Sequence, residues 1–494
     1  AADFLYHLMV LMVEKGLKDV GYHYVNVDDG YFGKRDENGI MLANEKRFPN
    51  GMKPVAEHIH SLGMKAGLYT DAGNSTCGSM WDNDTAGIGA GIYGHEPQDA
   101  QLYFGDWGFD FIKIDYCGGE ELGLNEKERY TSIRNNIDKV NKDISINICR
   151  WAFPGTWAKD AATSWRISGD INAHWGSLRY VVGKNLYLSA YAGNGHYNDM
   201  DMMVIGFRNN SKVGGQGLTP TEEEAHFGLW CIMSSPLLIG CNLENIPESS
   251  LELLKNKELI ALNQDPLGLQ AYVAQHENEG YVLVKDIEQK RGNVRAVALY
   301  NPSDTVCSFS VPFSSLEFGG NVKVRDLVKH SDLGSFSGIF EQTLPAHSAM
   351  FLRMESETRL EPTLYEAEWA YLPLFNDLGK NSKGILYAHD KEASGKMKVG
   401  FLGGQPENYA EWKEVYSEDG GRYNMTIHYL YGKGRQIELD VNGIITRIDS
   451  LGEDNNHHEI TVPVELKAGY NTIRMGNSYN WAPDIDCFTL TKAL

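Results

Sequence analysis

The chain has 494 residues, with 45 Lys and Arg against 66 Asp and Glu, a formal net charge of −21. At roughly 150 residues per domain that length predicts about three domains. The acidic balance excludes a polyanionic partner, because nucleic acids and anionic membrane surfaces both need a basic face. Hydrophobic residues at 42% are too abundant for disorder, and no run of about 18 apolar residues offers a membrane span. Glycine (52) and aromatic residues (11%) are plentiful, a composition that suits carbohydrate handling. Seven scattered cysteines with no C-x-x-C pair make neither a dense disulfide framework nor a zinc site.

At the start, Leu5, Leu8, Met9, Met12 and Leu17 fall at helical spacing with no basic leader, which predicts an amphipathic helix and not a signal peptide. From residue 21 to about 270, seven short apolar runs end in polar or acidic residues: 24–29, 66–71, 111–115, 144–150, 165–170, 196–202 and 236–241. Between them lie segments with apolar residues three and four apart, such as 52–62, 99–107, 126–140 and 221–233. Strand–helix alternation at this pitch predicts a parallel sheet. No G-x-G-x-x-G turn follows the first run, and acids gather at strand ends, so a TIM (β/α)8 barrel over 1–268 is favoured over an open sheet. Seven runs are one short of eight, which leads us to expect a first strand before residue 1. Beyond Pro266 the pattern alternates at 281–285, 294–300, 307–311 and 350–353, an antiparallel β domain over 269–353. Residues 354–363 read as a linker. A last set of runs, including 365–369, 422–429, 436–441, 458–462 and 471–475, predicts a β-sandwich over 364–494.

The strand ends of the barrel supply Asp28, Asp29, Asp71, Lys113, Asp115, Arg150, Trp151, Arg166, Asp170, Asp199 and Asp201. So many carboxylates on one rim repel each other unless they bind metal, pair with Lys and Arg, or accept hydrogen bonds from a polyol. Only His196 offers an imidazole at a strand end, whereas Trp151 and Tyr69 offer apolar faces for a sugar. Glycoside hydrolysis needs two carboxyl groups flanking the bond, and the rim has them.

Several motifs, in order, resemble glycoside hydrolase family 27, the α-galactosidase family. They are Tyr24-Val-Asn-Val-Asp-Asp-Gly30, Arg47-Phe-Pro-Asn-Gly-Met-Lys53, Gly67-Leu-Tyr-Thr-Asp-Ala-Gly73 with Thr76-Cys-Gly78, and Phe111-Ile-Lys-Ile-Asp-Tyr-Cys117. Trp165-Arg-Ile-Ser-Gly-Asp-Ile171, Tyr197-Asn-Asp-Met-Asp-Met202 and Ala261-Leu-Asn-Gln-Asp-Pro-Leu-Gly268 continue the series, so the likeness runs over residues 4–350. The resemblance implies a retaining exo-α-glycosidase acting on terminal galactosyl groups of oligo- or polysaccharides, without a catalytic cofactor. Asp115 would be the nucleophile, held ionised by Lys113, and Asp170 the acid/base. Asp28 and Asp29 would hold the 4- and 6-hydroxyls, or else form a capping turn. Lys113, Arg166 and Asp201 would face the 2- and 3-hydroxyls, though Arg166 and Asp201 could equally be a structural ion pair. Tyr69 and Trp151 would line the pocket or pack in the core. Cys77 and Cys117 match a pair that is disulfide-bonded beside the sugar, with two free thiols as the alternative. The chain departs from the family in three places: it has no counterpart of the Trp-rich first-strand motif, segment 80–94 is long and Gly-rich, and Arg150 stands where an acid often lies near the 2-hydroxyl. These leave a β-L-arabinopyranosidase or α-N-acetylgalactosaminidase open. Outside the family, a non-catalytic carbohydrate-binding protein on a decayed barrel or a metal-dependent hydrolase would also fit the rim. The compartment stays open, with a periplasmic or secreted setting favoured.

The C-terminal stretch, with Tyr365-Glu-Ala-Glu-Trp369, Asp440-Val-Asn-Gly443, Gly469-Tyr-Asn-Thr-Ile473 and Asp484-Ile-Asp-Cys-Phe488, resembles a family 35 or 6 carbohydrate-binding module. That likeness implies a structural calcium held by Glu366, Glu368 and Asp486, or the same carboxylates without an ion. Trp481 would stack on a sugar ring or pack in the sandwich.

Overall fold

Six of the seven apolar runs become parallel strands: β1 (Tyr24–Asn26), β2 (Lys65–Asp71), β3 (Phe111–Asp115), β4 (Ser145–Ile148), β5 (Ser164–Arg166) and β6 (Tyr197–Asp199). In this computed structural model, residues 1–208, 215–379, 385–449, 451–452 and 454–493 are described. The six strands follow one another in sequence order across the sheet. A doubly wound sheet reverses direction at a switch point, so sequential order is that of the TIM-barrel type expected from the sequence. The seventh run, 236–241, contributes only a parallel bridge between Ile239 and Met203. Its Pro236 has no amide to donate to a ladder.

The predicted helices form at Lys53–Ser61, Glu126–Val140 and Pro220–Ile232. The last opens on a capping box, with the Thr219 hydroxyl accepting from Glu222 N and the Glu222 carboxylate from Thr219 N. The amphipathic start is the helix Ala2–Glu14, which buries Met9 and Met12. A short hairpin, Phe32–Arg35 with Met41–Ala43, follows β1 and was not visible in the pattern. Strand pairing fixes the functional rim. The register sets Asp71 beside Asp115 and Arg166 beside Asp199, so charged groups of neighbouring strands emerge at one level.

The chain divides into two compact units. One comprises Ala1–His174, Gly195–Leu218 and Pro236–Ile260, and the other Trp175–Asn194, Thr219–Ser235 and Ala261–Leu494. All six parallel strands belong to the first. The second holds a six-stranded antiparallel sheet of residues 272–359 and a sandwich built of a four-stranded sheet and a larger one. The antiparallel sheet buries Val284, Val297, Phe309 and Leu352, and the sandwich buries Tyr423, Ile427, Ile473 and Phe488. One expectation fails here. Residues 354–359 are no linker but the end of the strand Ser348–Arg359. Met354 and Ser356 stay buried while Arg359 pairs with Asp286 and Glu317. Arg359, one of the charges that suggested a linker, is a partner to other segments of the unit. Among the described residues no helix is long and apolar enough to cross a membrane.

Candidate active site

After β1 the backbone turns at Gly30, which has φ +101. Asp28 accepts from Asp29 N (2.9 Å), and Asp29 accepts from Gly30 N (2.7 Å), so the pair does shape its own turn. The second oxygen of Asp29 takes Gly78 N at 2.8 Å. Burial raises the Asp29 carboxyl, while these amide donors pull it back. Asp28 stays 68% exposed and lies 3.4 Å from Lys113 Nζ.

Asp115 ends β3 and is 5% exposed. The buried Tyr69 hydroxyl donates to its Oδ2 at 2.7 Å, and Lys113 Nζ sits 5.4 Å above the Tyr69 ring. Its Oδ1 is buried and has no hydrogen-bond partner among the described residues. Burial raises the Asp115 carboxyl, with the Lys113 charge and the Tyr69 hydroxyl opposing. Tyr69 thus supports Asp115 from within the core instead of presenting an open wall.

From β5, Arg166 is 3% exposed and reaches three acceptors with Nη2: Asp170 Oδ1 (2.9 Å), Asp201 Oδ2 (3.0 Å) and Ser168 O (3.3 Å). Its acidic neighbours hold its charge firmly against burial. Asp201 also accepts from Ile171 N, which fixes the backbone next to Asp170. Asp170 itself is 72% exposed. The arrangement joins a buried, anchored carboxylate to an exposed one carried by the same cationic rim.

Comparison with known proteins bears on the same region. The family model described as alpha galactosidase A matches residues 2–265, and the alpha galactosidase C-terminal beta sandwich domain matches 280–354. This chain belongs to the alpha-galactosidase family, glycoside hydrolase family 27. Alpha-galactosidase A of Cellvibrio japonicus is 34% identical over 367 residues, covering 69% of this chain and 85% of its own. The alpha-galactosidase of Cyamopsis tetragonoloba is 36% identical over 342 residues, 68% of this chain and 78% of its own. The crystal structure of alpha-galactosidase I from Mortierella vinacea superposes with a TM-score of 0.64 at 27% identity, covering 73% of this chain and 94% of that one.

In this family 27 chain Cys77 and Cys117 form a disulfide, which closes the alternative of free thiols. Asp71 lies against it, wholly buried, with Oδ1 accepting from Gly73 N (2.7 Å) and Gly118 N (3.0 Å). Burial lifts Asp71 to about 7. Asp71 and the two sulfurs are close enough to share a metal, but sulfurs bonded to each other are not thiolate ligands. The loops meet backbone to backbone: a Cβ on Gly73 would lie 2.0 Å from Gly118 C, and one on Gly118 2.5 Å from Ser75 O. Arg150 turns to Glu126 (3.2 Å) and Glu120 (3.6 Å) and stacks over Tyr116. Trp151, half-buried, sits at φ +57, and Asp201 at φ +75. Such backbone strain gathers at functional rims.

Cys149 was given no role by the sequence reading, and Asp71 and Asp199 were only counted among the strand-end acids. Asp199 is buried below the rim, accepting from Asn147 Nδ2 and Asp201 N. The signal that singles out Asp71 and Asp199 is position: each closes a strand whose neighbour ends in a charge.

In the sandwich, Glu366, Glu368 and Asp486 are all buried. Ser394 supplies a hydroxyl to Glu366 (2.5 Å) and an amide to Asp486 (2.9 Å). Glu366 Oε2 and both Glu368 oxygens have no hydrogen-bond partner among the described residues. Burial raises all three, Glu366 to about 7 and Asp486 to about 6, and repulsion from neighbouring carboxylates adds to it, from Asp486 at Glu366 and from Glu366 and Asp486 at Glu368. A Cβ on Gly395 would touch Glu368 Oε1, so the carboxylates close on a glycine cradle. Buried carboxylates with unmet lone pairs fit a hard cation. Trp481 lies outside the core, edge-on to the exposed Phe401 at 6.3 Å.

Proposed function

We propose that the chain is a retaining exo-glycosidase that removes terminal α-D-galactosyl groups from oligo- or polysaccharides by double displacement. The observation that carries this reading is Asp115, fixed by the Tyr69 hydroxyl on the same rim as the exposed Asp170. Asp115 attacks the anomeric carbon while Asp170 protonates the departing oxygen, and Asp170 then takes a proton from the water that releases the sugar. Exposure suits Asp170, since both leaving group and water must reach it. Asp28 and Asp29 bind the 4- and 6-hydroxyls, and Lys113, Arg166 and Asp201 the 2- and 3-hydroxyl side. Trp151 and the Cys77–Cys117 disulfide border the sugar. Arg150, drawn off by Glu120 and Glu126, leaves the 2-hydroxyl side without the acid often found there. Residues 1–268 form the catalytic part and 269–353 an accompanying β domain.

We further infer that residues 364–494 form a carbohydrate-binding module of the family 35 or 6 kind. Glu366, Glu368 and Asp486 would hold a structural calcium, and Trp481 with Phe401 would stack on sugar rings.

Paired p-nitrophenyl α-galactoside and β-L-arabinopyranoside assays test the substrate, and two variants test the roles. Asp170→Asn should still release phenol from an aryl galactoside with a good leaving group, accumulate glycosyl-enzyme and be rescued by azide. Asp115→Asn should be inactive there, and any azide rescue should give inverted product by NMR. Azide rescue of Asp115→Asn with retained configuration overturns the assignment.

A further inference from the structure

We propose that Trp81 is a binding residue for the saccharide beyond the terminal galactosyl unit, a flat indole platform held on the rim of the active site. This rests on the reading of the chain as an exo-galactosidase. Segment 80–94, long and rich in glycine, has no part in the double displacement. Yet Trp81 is 78% exposed, a rare state for an indole in a folded chain, and Ile88 and Tyr93 of the same segment are exposed with it. Trp81 closes the short helix Cys77–Trp81. Cys77, four residues back and so on the same helix face, is bonded to Cys117. Gly78, three residues or about 4.5 Å of helix rise back, donates its amide to Asp29 at 2.8 Å. The indole therefore stands at the exposed edge of a site whose interior holds the buried Asp115 and Tyr69.

A loop that must be ordered on contact gives up much of its binding energy, and this one is ordered beforehand. Asp82 N and Asp84 N both donate to Gly78 O at 3.0 Å. Arg47 Nη1 donates to Asp84 Oδ2 and to Gly30 O, each at 2.6 Å. Arg35 donates from Nε to Gly89 O (3.1 Å) and from Nη2 to Gly91 O (2.9 Å), while its fork grips the wholly buried Asp99 at 2.8 and 2.7 Å. Gly30 belongs to the turn of Asp28 and Asp29. The segment that carries Trp81 and the turn that carries the sugar-binding acids are thus tied together by one guanidinium.

The occupant follows from the chemistry of the face. An exo-enzyme takes one galactosyl unit into its pocket, so the rest of an oligo- or polysaccharide lies outside, along the rim. An indole face in water favours a flat, C–H-rich surface that can keep its polar groups wet, and a sugar ring offers that. Asp82 and Asp84 beside the indole, in a chain of net charge −21, select against an anionic ligand. The ligand is a neutral hexose unit of the substrate.

The test compares kcat/KM on galactomannan oligosaccharides with kcat/KM on α-D-galactosyl fluoride, whose leaving group is a single atom that cannot reach the platform. In Trp81→Ala the ratio of the two should fall about 10-fold, through KM for the oligosaccharide, and Trp81→Tyr should recover most of it. Trp81→Gln is read in place of alanine if the alanine variant does not fold. Wild type that hydrolyses neither substrate overturns the galactosidase reading itself. Hydrolysis of the fluoride with an unmoved ratio, or a fall carried by kcat alone or not recovered by tyrosine, overturns the platform only. A dimer seen by light scattering that Trp81→Ala dissolves, with the ratio unmoved, gives the face to a second copy of the chain instead.

Discussion

Asp71→Asn should change how the stability of the first unit depends on pH. The carboxyl is wholly buried and lifted from 3.8 to about 7, and each pH unit corresponds to 1.36 kcal/mol. Ionising Asp71 therefore costs about 4 kcal/mol more in the folded protein than in the unfolded one, as an upper figure. The sign follows from proton binding. Between pH 3.8 and 7 the folded state holds the proton more tightly, so this contribution to stability falls as pH rises through that window and is fully lost above it. Asparagine keeps an oxygen for Gly73 N and Gly118 N and has no charge to bury. Its amide would face Cys77 Sγ, now 4.0 Å from Oδ2. Calorimetry of wild type and variant at pH 5 and pH 8 reads the effect. The variant should gain on wild type at pH 8 relative to pH 5 by several degrees, since about 1 kcal/mol moves the midpoint of a unit this size by ~2–4 °C. Equal destabilisation at both pH values would refute the reasoning, because it would mean the carboxylate is held ionised by its two amides.

Tyr69→Phe removes the hydroxyl at 2.7 Å from Asp115 and should lower kcat/KM about 10- to 100-fold with an unchanged melting temperature, measured on an aryl galactoside. Cys77→Ser should raise KM more than it lowers kcat, because Gly78 N, the donor to Asp29, follows the lost link directly. The same variant should lose up to about 4 kcal/mol of stability to denaturant, given the separation of 40 residues that the disulfide closes. Treatment with EGTA should lower the melting transition of the sandwich and calcium should restore it, while Glu366→Gln with Glu368→Gln should abolish that response in scanning calorimetry.

The parallel sheet was legible because barrel strands are apolar and end in acids, and 111–115 matches β3 residue for residue. What the pattern hid was polar or short. The strands Ser331–Ser337 and Phe318–Asp326 carry serines, glycines and charges on exposed faces, so no alternation stood out. Residues 354–359 looked like a linker because they are rich in charge, and the partners of Arg359, Asp286 and Glu317, lie outside any local window. In the site, the rim acids could be named from the chain, and so could the cysteine pair. The geometry that relates them could not, since the Asp115–Tyr69 bond spans 46 residues and the Arg166–Asp201 pair is made only by strand neighbours. Lys113 is visible two residues from Asp115, whereas the burial that acts against it is a property of the assembled core.

The meeting of Gly73 with Gly118 has a bearing on how such a rim can change over generations. The staple between these loops consists of main-chain atoms, one buried carboxyl and two sulfurs, and it leaves no room for even a methyl group. The side chains of Asp28 and Trp151 project from elsewhere on the rim, while Arg150 pairs with Glu120 on the segment that carries Gly118. A descendant can therefore change the side chains at positions 28 or 151 with the staple intact, whereas a single alanine at 73 or 118 forces two loops apart.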